Sequence, residues 1–449
     1  MAIQHFPTEP MVSVGIVSGK KICFSFNGRY TVNDRQVEGA QEATMAHGLI
    51  HWDGMAFTEL LFKPVAASAS FSLEDVTIGV NFHWERKERQ TFQGTLRLLA
   101  DGGKIWAINR LPVEQYLESV ISSEMSATSN LPLLMAHAVI SRSWVLNMLK
   151  SYAPSPAQAS SAARTETPAL QPSTVADRLI KWYDRQDHTL FDVCADDHCQ
   201  RYQGITMETS SNVAEAIRRT HGEVLAYGNE ICDARFSKCC GGAMEEFQYC
   251  WDDTPKPYLK GIGDTPGEAI PDLTVEANAE QWIRSEPDSF CNTHDKRILS
   301  QVLNDYDQET TDFYRWRVDY TQQQLAELIQ RKTGIDFGQI VDLQPVRRGT
   351  SGRLYELRIV GTKRTMVIGK ELEIRRALSE SHLYSSAFVV DKDYADDNHI
   401  PSAFHLVGAG WGHGVGLCQI GAAVMGDKGY AYDVILKHYY PGATLEKAW

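Results

Sequence analysis

The chain has 449 residues, 43% hydrophobic and 22% charged, enough to bury a substantial core and to form more than one domain. Its formal net charge is −13, which argues against a nucleic-acid partner and leaves a neutral or zwitterionic polymer open. No run approaches the roughly 20 apolar residues that span a bilayer, so no membrane span is expected.

The start, Met1 to Pro7, lacks the basic stretch, apolar stretch and small-residue cleavage site of an export signal. Either the chain is trimmed of a leader or it stays inside the cell. From residue 10 to 110, short runs alternate apolar and polar residues: Val12 to Ile16, Ile22 to Phe26, Val76 to Val80, Gly94 to Leu98 and Ile105 to Ile108. Turn residues such as Asn27-Gly28 and Asp101-Gly102-Gly103 separate them, and the pattern reads as antiparallel sheet.

Over 112–124 the pattern changes to that of a helix, with Val113, Leu117, Val120 and Ile121 on one stripe. A second helix is predicted over about 131–150, with Pro132 near its start, where a missing N–H costs nothing. Residues 151–176 are rich in Ser, Ala, Pro and Thr without apolar period, and read as a flexible insertion. Further helices are predicted at 210–221, 321–333, 421–427 and 431–439, and strands at 223–227 and within 340–368. The helices cluster rather than alternate with strands. The fold class is α+β, with a β-rich region over 1–110 and a mixed region over 111–449, which are also compatible with one continuous unit.

Several clusters carry chemistry. Glu124 ends an apolar helical stretch just before Met125 and the breaker-rich 126–130. A carboxyl against apolar neighbours is pushed toward neutrality, which suits a general acid, although an exposed helix-end Glu has the same position in sequence. Glu114 and Glu118 compete on the same helix. His188, Cys194, His198 and Cys199 place four soft or borderline ligands within twelve residues, enough for a tetrahedral zinc with no open position. A Cys194–Cys199 disulfide with two incidental histidines is the alternative.

Gly408 to Gly416 holds five glycines around His413, which lets backbone approach closely or take positive φ. It lacks the Lys-Ser/Thr ending of a phosphate loop, so a nucleotide site is rejected. Phe236 to Gly242 is a small-residue turn with paired cysteines. A cysteine nucleophile at Cys240 would need a base that no neighbouring residue supplies. The nine cysteines are an odd, scattered set and do not read as a disulfide scaffold.

These segments resemble the SpoIID/LytB family of bacterial cell-wall proteins. The first motif is matched by Glu114, Tyr116, Leu117, Val120, Glu124, Met125, Ala136, Ala138, Val139, Arg142 and Ser143. The second is matched by Gly412 to Gly416, Gln419, Gly421, Ala422 and His438 to Gly442. A D-x-C-x-x-x-H-C-Q-x-Y-x-G pattern is matched by Asp192 to Gly204, an S-x-C-G-G turn by Ser237 to Gly242 with one extra cysteine, and Ser351 to Arg353 resembles another landmark. Met135 and His137 stand where the family often has Lys and Gln. Ser119 stands for Gly, Trp144 for Tyr and Cys418 for Ser.

The resemblance implies a lytic transglycosylase acting on peptidoglycan glycan strands, in some members strands stripped of stem peptides, with Glu124 as the acid. It implies helices clustered around a central glycan-binding groove, built from both ends of the chain. Arg142, His413, Gln419, Tyr116 and Ser237 are the expected substrate-binding residues. His188, Cys194, His198 and Cys199 are the expected ligands of a structural zinc, and no organic cofactor is expected. A non-catalytic activator of a cell-wall amidase is the competing reading. The family points to the cell envelope or periplasm, in tension with the missing export signal.

Overall fold

A computed structural model describes the chain apart from residues 1–2, 4, 79–85, 127, 153–172, 176, 183–187, 197, 207–209, 266–268, 303–311 and 396–398. Two compact units divide it. One is formed by Met1–Pro156, Gln186–Asp233 and Leu445–Trp449, the other by Ala157–Arg185 and Ala234–Thr444.

The first unit opens with ten strands: β1 (Met11–Gly19), β2 (Lys21–Val32), β3 (Arg35–Ala46), β4 (Leu49–Trp52), β5 (Met55–Phe57), β6 (Glu59–Pro64), β7 (Ser70–Ile78), β8 (Arg86–Gln93), β9 (Thr95–Asp101) and β10 (Lys104–Pro112). The alternation read from the sequence becomes an eleven-stranded sheet in which these ten pair antiparallel. Its inward positions carry Phe24, Phe26, Phe62 and Phe71, whose rings meet at 5.1–5.4 Å or through Tyr30. Aromatic pairs at such spacings add to the area they bury.

Two helices follow, α1 (Val113–Glu124) and α2 (Leu131–Tyr152). In α1 the predicted stripe Val113, Leu117, Val120 and Ile121 is buried, and Tyr116 is buried with it. In α2 every residue from 133 to 146 is buried, so the helix is enclosed on all faces. That burial forces its polar side chains to find partners. Arg142 exposes no surface and forms a two-pronged ion pair with Glu114, Nε to Oε1 at 3.1 Å and Nη2 to Oε2 at 2.5 Å. Ser143 donates to the Val139 carbonyl and accepts from the Leu225 N–H. Met135 and His137, at the positions where Lys and Gln were expected, are also buried, and His137 Nδ1 faces Ser141 Oγ at 3.2 Å.

The helix α2 runs past the predicted start of the insertion, and β11 (Ser173–Val175) lies within its last residues. The remainder of that reading falls outside the described residues. With β12 (Arg178–Ile180), β11 belongs to the second unit. The chain then returns to the first with β13 (Val193–Cys194), α3 (Ser211–Arg219), β14 (Glu223–Tyr227) and β15 (Glu230–Ile231). The two-residue β13 joins β1 in parallel and is the eleventh strand of the large sheet.

The second unit continues with β16 (Phe236–Ser237), α4 (Glu276–Arg284), α5 (Lys296–Val302), β17 (Arg315–Thr321), α6 (Gln322–Thr333), β18 (Ile340–Arg348), β19 (Leu354–Gly361), β20 (Thr365–Gly369), α7 (Glu371–Ala377), β21 (Phe388–Asp393), β22 (Ala403–Ala409), β23 (Leu417–Cys418), α8 (Gln419–Asp427) and α9 (Tyr432–Tyr439). The chain then returns to the first unit, where β24 (Thr444–Lys447) pairs with β14. The sheet of β11, β12, β20, β19 and β18 and the sheet of β17, β22 and β21 share an apolar core with α6 and α7, including Leu325, Ile329, Leu357, Ile359, Phe388 and Leu406. The start of α6 carries a capping box between Thr321 and Gln324, and Gly334 ends it at φ +73°. The protein is an α+β fold, dominated by strands at its N-terminal end.

The Arg142–Glu114 pair yields a stability prediction. Arg142→Met leaves a mostly buried carboxylate without its cation, and we expect a loss of about 3–5 kcal/mol. Urea unfolding of the two proteins checks it; a loss below about 1 kcal/mol contradicts the assignment.

Candidate functional site

In the first unit, three features predicted separately come together. Glu124 ends α1 half-buried, and its Oε1 accepts the backbone N–H of Arg201 at 3.3 Å. One turn and a quarter earlier, Ser119 Oγ accepts the backbone N–H of Gln203 at 3.1 Å. Nearer the helix start, the Tyr116 hydroxyl meets Gln200 Oε1 at 3.2 Å and its ring stacks on Tyr202 at 5.3 Å. Tyr202 is anchored from the sheet, its hydroxyl 2.5 Å from Asn109 Oδ1. The segment Gln200–Gln203 is therefore clasped along α1, and the clasp ends on the Glu124 carboxyl.

Just upstream, the same segment folds on itself around His188, Cys194, His198 and Cys199. One ligand atom from each lies within 4.8 Å of the others. Cys199 Sγ is 3.4 Å from His188 Nε2 and 3.5 Å from His198 Nδ1, and the Cys194 N–H points at it from 3.4 Å. Hydrogen bonding to Cys199 above all, and to both imidazoles, pulls the Cys194 thiol far below its ordinary value. Two imidazoles and two thiolates at this spacing suit zinc, and four protein ligands fill its tetrahedron. Asp192 fixes the segment from the other side, taking the N–H and hydroxyl of Ser13 at 2.7 and 2.5 Å. Gly15 on β1 admits this packing, since a Cβ there would meet the Phe191 ring at 2.4 Å.

Of the competing carboxylates, Glu114 is spent on Arg142 and on the Gly222 N–H at 2.8 Å. Glu118 is half-buried, and desolvation, then Glu114, raises its carboxyl.

The second unit brings the two glycine-bearing motifs side by side. β16 pairs in parallel with β23, and Cys239 and Glu245 bridge to Trp411 and Val415. Between them runs Arg353, 1% exposed, from the Ser351–Arg353 turn. It donates from Nε to the Gly412 carbonyl at 3.0 Å and from Nη1 to the Cys240 carbonyl at 3.1 Å. A Cβ at Gly414, where φ is +76°, would sit 2.5 Å from the Arg353 Cζ. The glycines thus make room for a buried guanidinium. The buried Glu245 carboxylate lies beside it, accepting from the backbone and hydroxyls of Thr350 and Ser351 at 2.7–3.3 Å. Desolvation raises its pKa against those hydrogen bonds.

His413 is half-buried in this loop. Its Nδ1 accepts the Val415 N–H at 3.0 Å, and Trp251 meets it edge-on at 4.7 Å. Desolvation, then the charges of Arg235, Arg375 and Arg353, hold it well below the usual histidine value, so the imidazole is neutral.

The expected substrate-binding set needs correction. Arg142 and Tyr116 expose no surface, because one is an internal ion-pair partner and the other is stacked under the clasp. Gln419 is buried at the start of α8, 2% exposed, and Ser237 is buried in β16 at 6%. Of the five, His413 alone offers a partly open side chain. Glu124 belongs to the first unit and His413, Gln419 and Ser237 to the second. Sequence reasoning missed Arg201, Gln203 and Ser119, which act through backbone N–H groups and one hydroxyl that leave little mark in a motif. It also missed Arg353, although the turn that carries it was visible.

Two outcomes are expected. Cys194→Ser, or stripping metal with a chelator, should speed amide exchange at Arg201 and Gln203 while β9 and β10 keep their protection; unchanged exchange at those amides contradicts the clasp. Gly414→Ala should destabilise the protein by at least ~1–3 kcal/mol from backbone strain alone, with the arginine clash added, read by thermal unfolding. An unchanged melting temperature would refute the cradle.

Residues 101–227 match a family model described as stage II sporulation protein, and residues 245–416 match one described as a domain of unknown function. The chain is 26% identical over 284 residues to the amidase enhancer of Bacillus subtilis (strain 168), covering 62% of this chain and 38% of that protein. It is 21% identical over 343 residues to stage II sporulation protein D of the same organism, covering 76% of each. The stage II sporulation protein D of Bacillus amyloliquefaciens is similar to the same degree, 21% over 342 residues. The chain thus spans well under half of the amidase enhancer's length and about three quarters of the sporulation proteins'. The first family match contains α1, α2, the His/Cys segment and α3. Taken with the motifs and the curated relatives, it supports the SpoIID/LytB family for this chain.

Proposed function

We propose that the protein acts on bacterial peptidoglycan, as a lytic transglycosylase whose working acid is Glu124. The reading rests on one observation above the rest: a half-buried carboxyl at the end of a helix with one buried face, oriented by a backbone N–H from the clasped segment. The N–H fixes where its oxygen points, as a positioned proton donor requires.

In the proposed reaction Glu124 protonates the oxygen leaving the bond between N-acetylmuramic acid and N-acetylglucosamine. Positive charge develops at the muramic C1. The same carboxylate, now a base, takes the proton of the muramic C6 hydroxyl as that oxygen attacks C1. A 1,6-anhydro ring closes and no water is consumed, so one carboxylate does what paired carboxylates do in ordinary glycosidases. His188, Cys194, His198 and Cys199 would hold the zinc, which supplies rigidity rather than an open coordination site. Since peptidoglycan lies outside the cytoplasmic membrane, we assign the protein to the cell envelope.

A second reading, activation of a cell-wall amidase, draws on the similarity to the amidase enhancer. Its support from Met135 and His137 weakens, because both side chains are buried within the first unit. Glu124→Gln separates the two. Incubated with purified sacculi, whole and amidase-treated, the wild type should release 1,6-anhydro products and the variant should lose this release by a factor of at least about 100, with glycan binding retained. Equal release by both proteins would remove Glu124 from the chemistry. No release by either, with stimulation of an added amidase, would favour the activator.

A further inference from the structure

The second unit contains a group of thiols that the proposed reaction does not use. Cys240 comes from the turn after β16, Cys291 from the segment between α4 and α5, and Cys418 from the residue that begins α8. Cys240 Sγ lies 3.4 Å from Cys291 Sγ, and the Cys240 N–H points at Cys418 Sγ from 3.2 Å. The Asp264 carboxylate joins them. Ligand atoms of Cys240, Asp264, Cys291 and Cys418 all lie within 4.8 Å of one another. None of the four is more than 2% exposed.

We propose that Cys240, Cys291, Cys418 and Asp264 form a second metal site, taking a zinc ion through three thiolates and one carboxylate. Four tetrahedral ligands with Zn–S bonds near 2.3 Å stand roughly 3.8 Å apart, a spacing this group reaches with small side-chain rotations. Burial supplies an independent reason. Asp264 is fully buried, and the nearest side chain able to carry positive charge is His438, whose Nε2 is 3.5 Å from Oδ1. Its remaining contacts are neutral donors, the Cys291 N–H at 2.9 Å and the Tyr439 hydroxyl at 2.8 Å. A buried carboxylate is costly without a cation, and a divalent ion between it and the thiolates provides one. Cys418 precedes the first turn of α8, where the helix dipole favours a thiolate.

The sequence offers a third argument. The resemblance has serine where this chain has Cys418, and a single cysteine where it has Cys239 and Cys240. The first departure falls on this group and the second adjoins it at Cys240. Binding replaces the three thiol protons with the ion, and four protein ligands leave no coordination position open, so the site is structural. It would join the turn after β16 to α8 and to the glycine loop bridged at Cys239 and Trp411.

The test is metal content of the full chain purified with thiols protected. The wild type should hold two equivalents of zinc. A double variant, Cys194→Ser with Cys199→Ser, should keep one, and adding Cys291→Ser or Cys418→Ser should remove it. Cys239→Ser should keep both. Cobalt(II) added to the metal-free double variant should give the thiolate charge-transfer intensity of three sulfur ligands, a readout that needs no disruption of the second site. A double variant free of metal and silent with cobalt would overturn the proposal. So would a Cys240–Cys291 disulfide in the non-reduced peptide map, or loss of the ion in Cys239→Ser.

Discussion

The hydrogen bond from the Arg201 backbone to Glu124 organises the end of the first unit that carries the proposed acid. It is a backbone contact, so its strength depends on where the 192–204 segment is held rather than on which side chain sits at 201. Three anchors hold that segment: Asp192 on Ser13, the ring of Tyr202 between Tyr116 and the sheet, and the His/Cys group. Each constrains a different stretch. Together they turn a segment with almost no regular structure into a rigid clasp on α1. A carboxyl at a helix end would otherwise be free to solvate and to rotate, which is poor preparation for proton transfer at one bond.

The same economy explains why Glu114 and Arg142 appear together in the sequence motif. They sit 28 residues apart and meet as one ion pair between α1 and α2, with the Gly222 N–H and the Glu223 carbonyl filling their remaining valences. Their role is to set the two helices against each other and against β14. Polar residues in a long motif therefore split into two kinds here. Glu124 is half-open and oriented, whereas Glu114, Arg142 and Tyr116 are closed internal fittings. The second unit has its own version in Arg353 and Glu245, buried with every described hydrogen bond made to backbone or hydroxyl groups.

Much of this was legible in the sequence. Period-two alternation located the N-terminal strands, and the stripe of Val113, Leu117, Val120 and Ile121 set α1 to within a residue of its observed bounds. The helix predicted over 321–333 matches α6 equally closely. The short helices α4, α5 and α7 went unread, since seven to nine residues give hardly two turns of periodicity. Strands β17, β21 and β22 went unread because their pairing is long-range and their apolar runs are brief. For the site, spacing in the sequence was enough to group His188, Cys194, His198 and Cys199, whose ligand atoms the fold brings together. It was not enough to separate a groove residue from a buried one, because an arginine in a motif looks the same whether it meets a sugar or a neighbouring glutamate. The four residues Cys240, Asp264, Cys291 and Cys418 are spread over 178 positions, and only folding places them together.

The central claim is that a single oriented carboxyl breaks the glycan by intramolecular capture, without water as a reactant. Digesting peptidoglycan in water enriched in heavy oxygen tests this most directly. The account predicts that the muramic ends of the products carry no heavy oxygen and are lighter by one water than hydrolytic ends. Heavy oxygen at those ends, one atom for each bond broken, would contradict it.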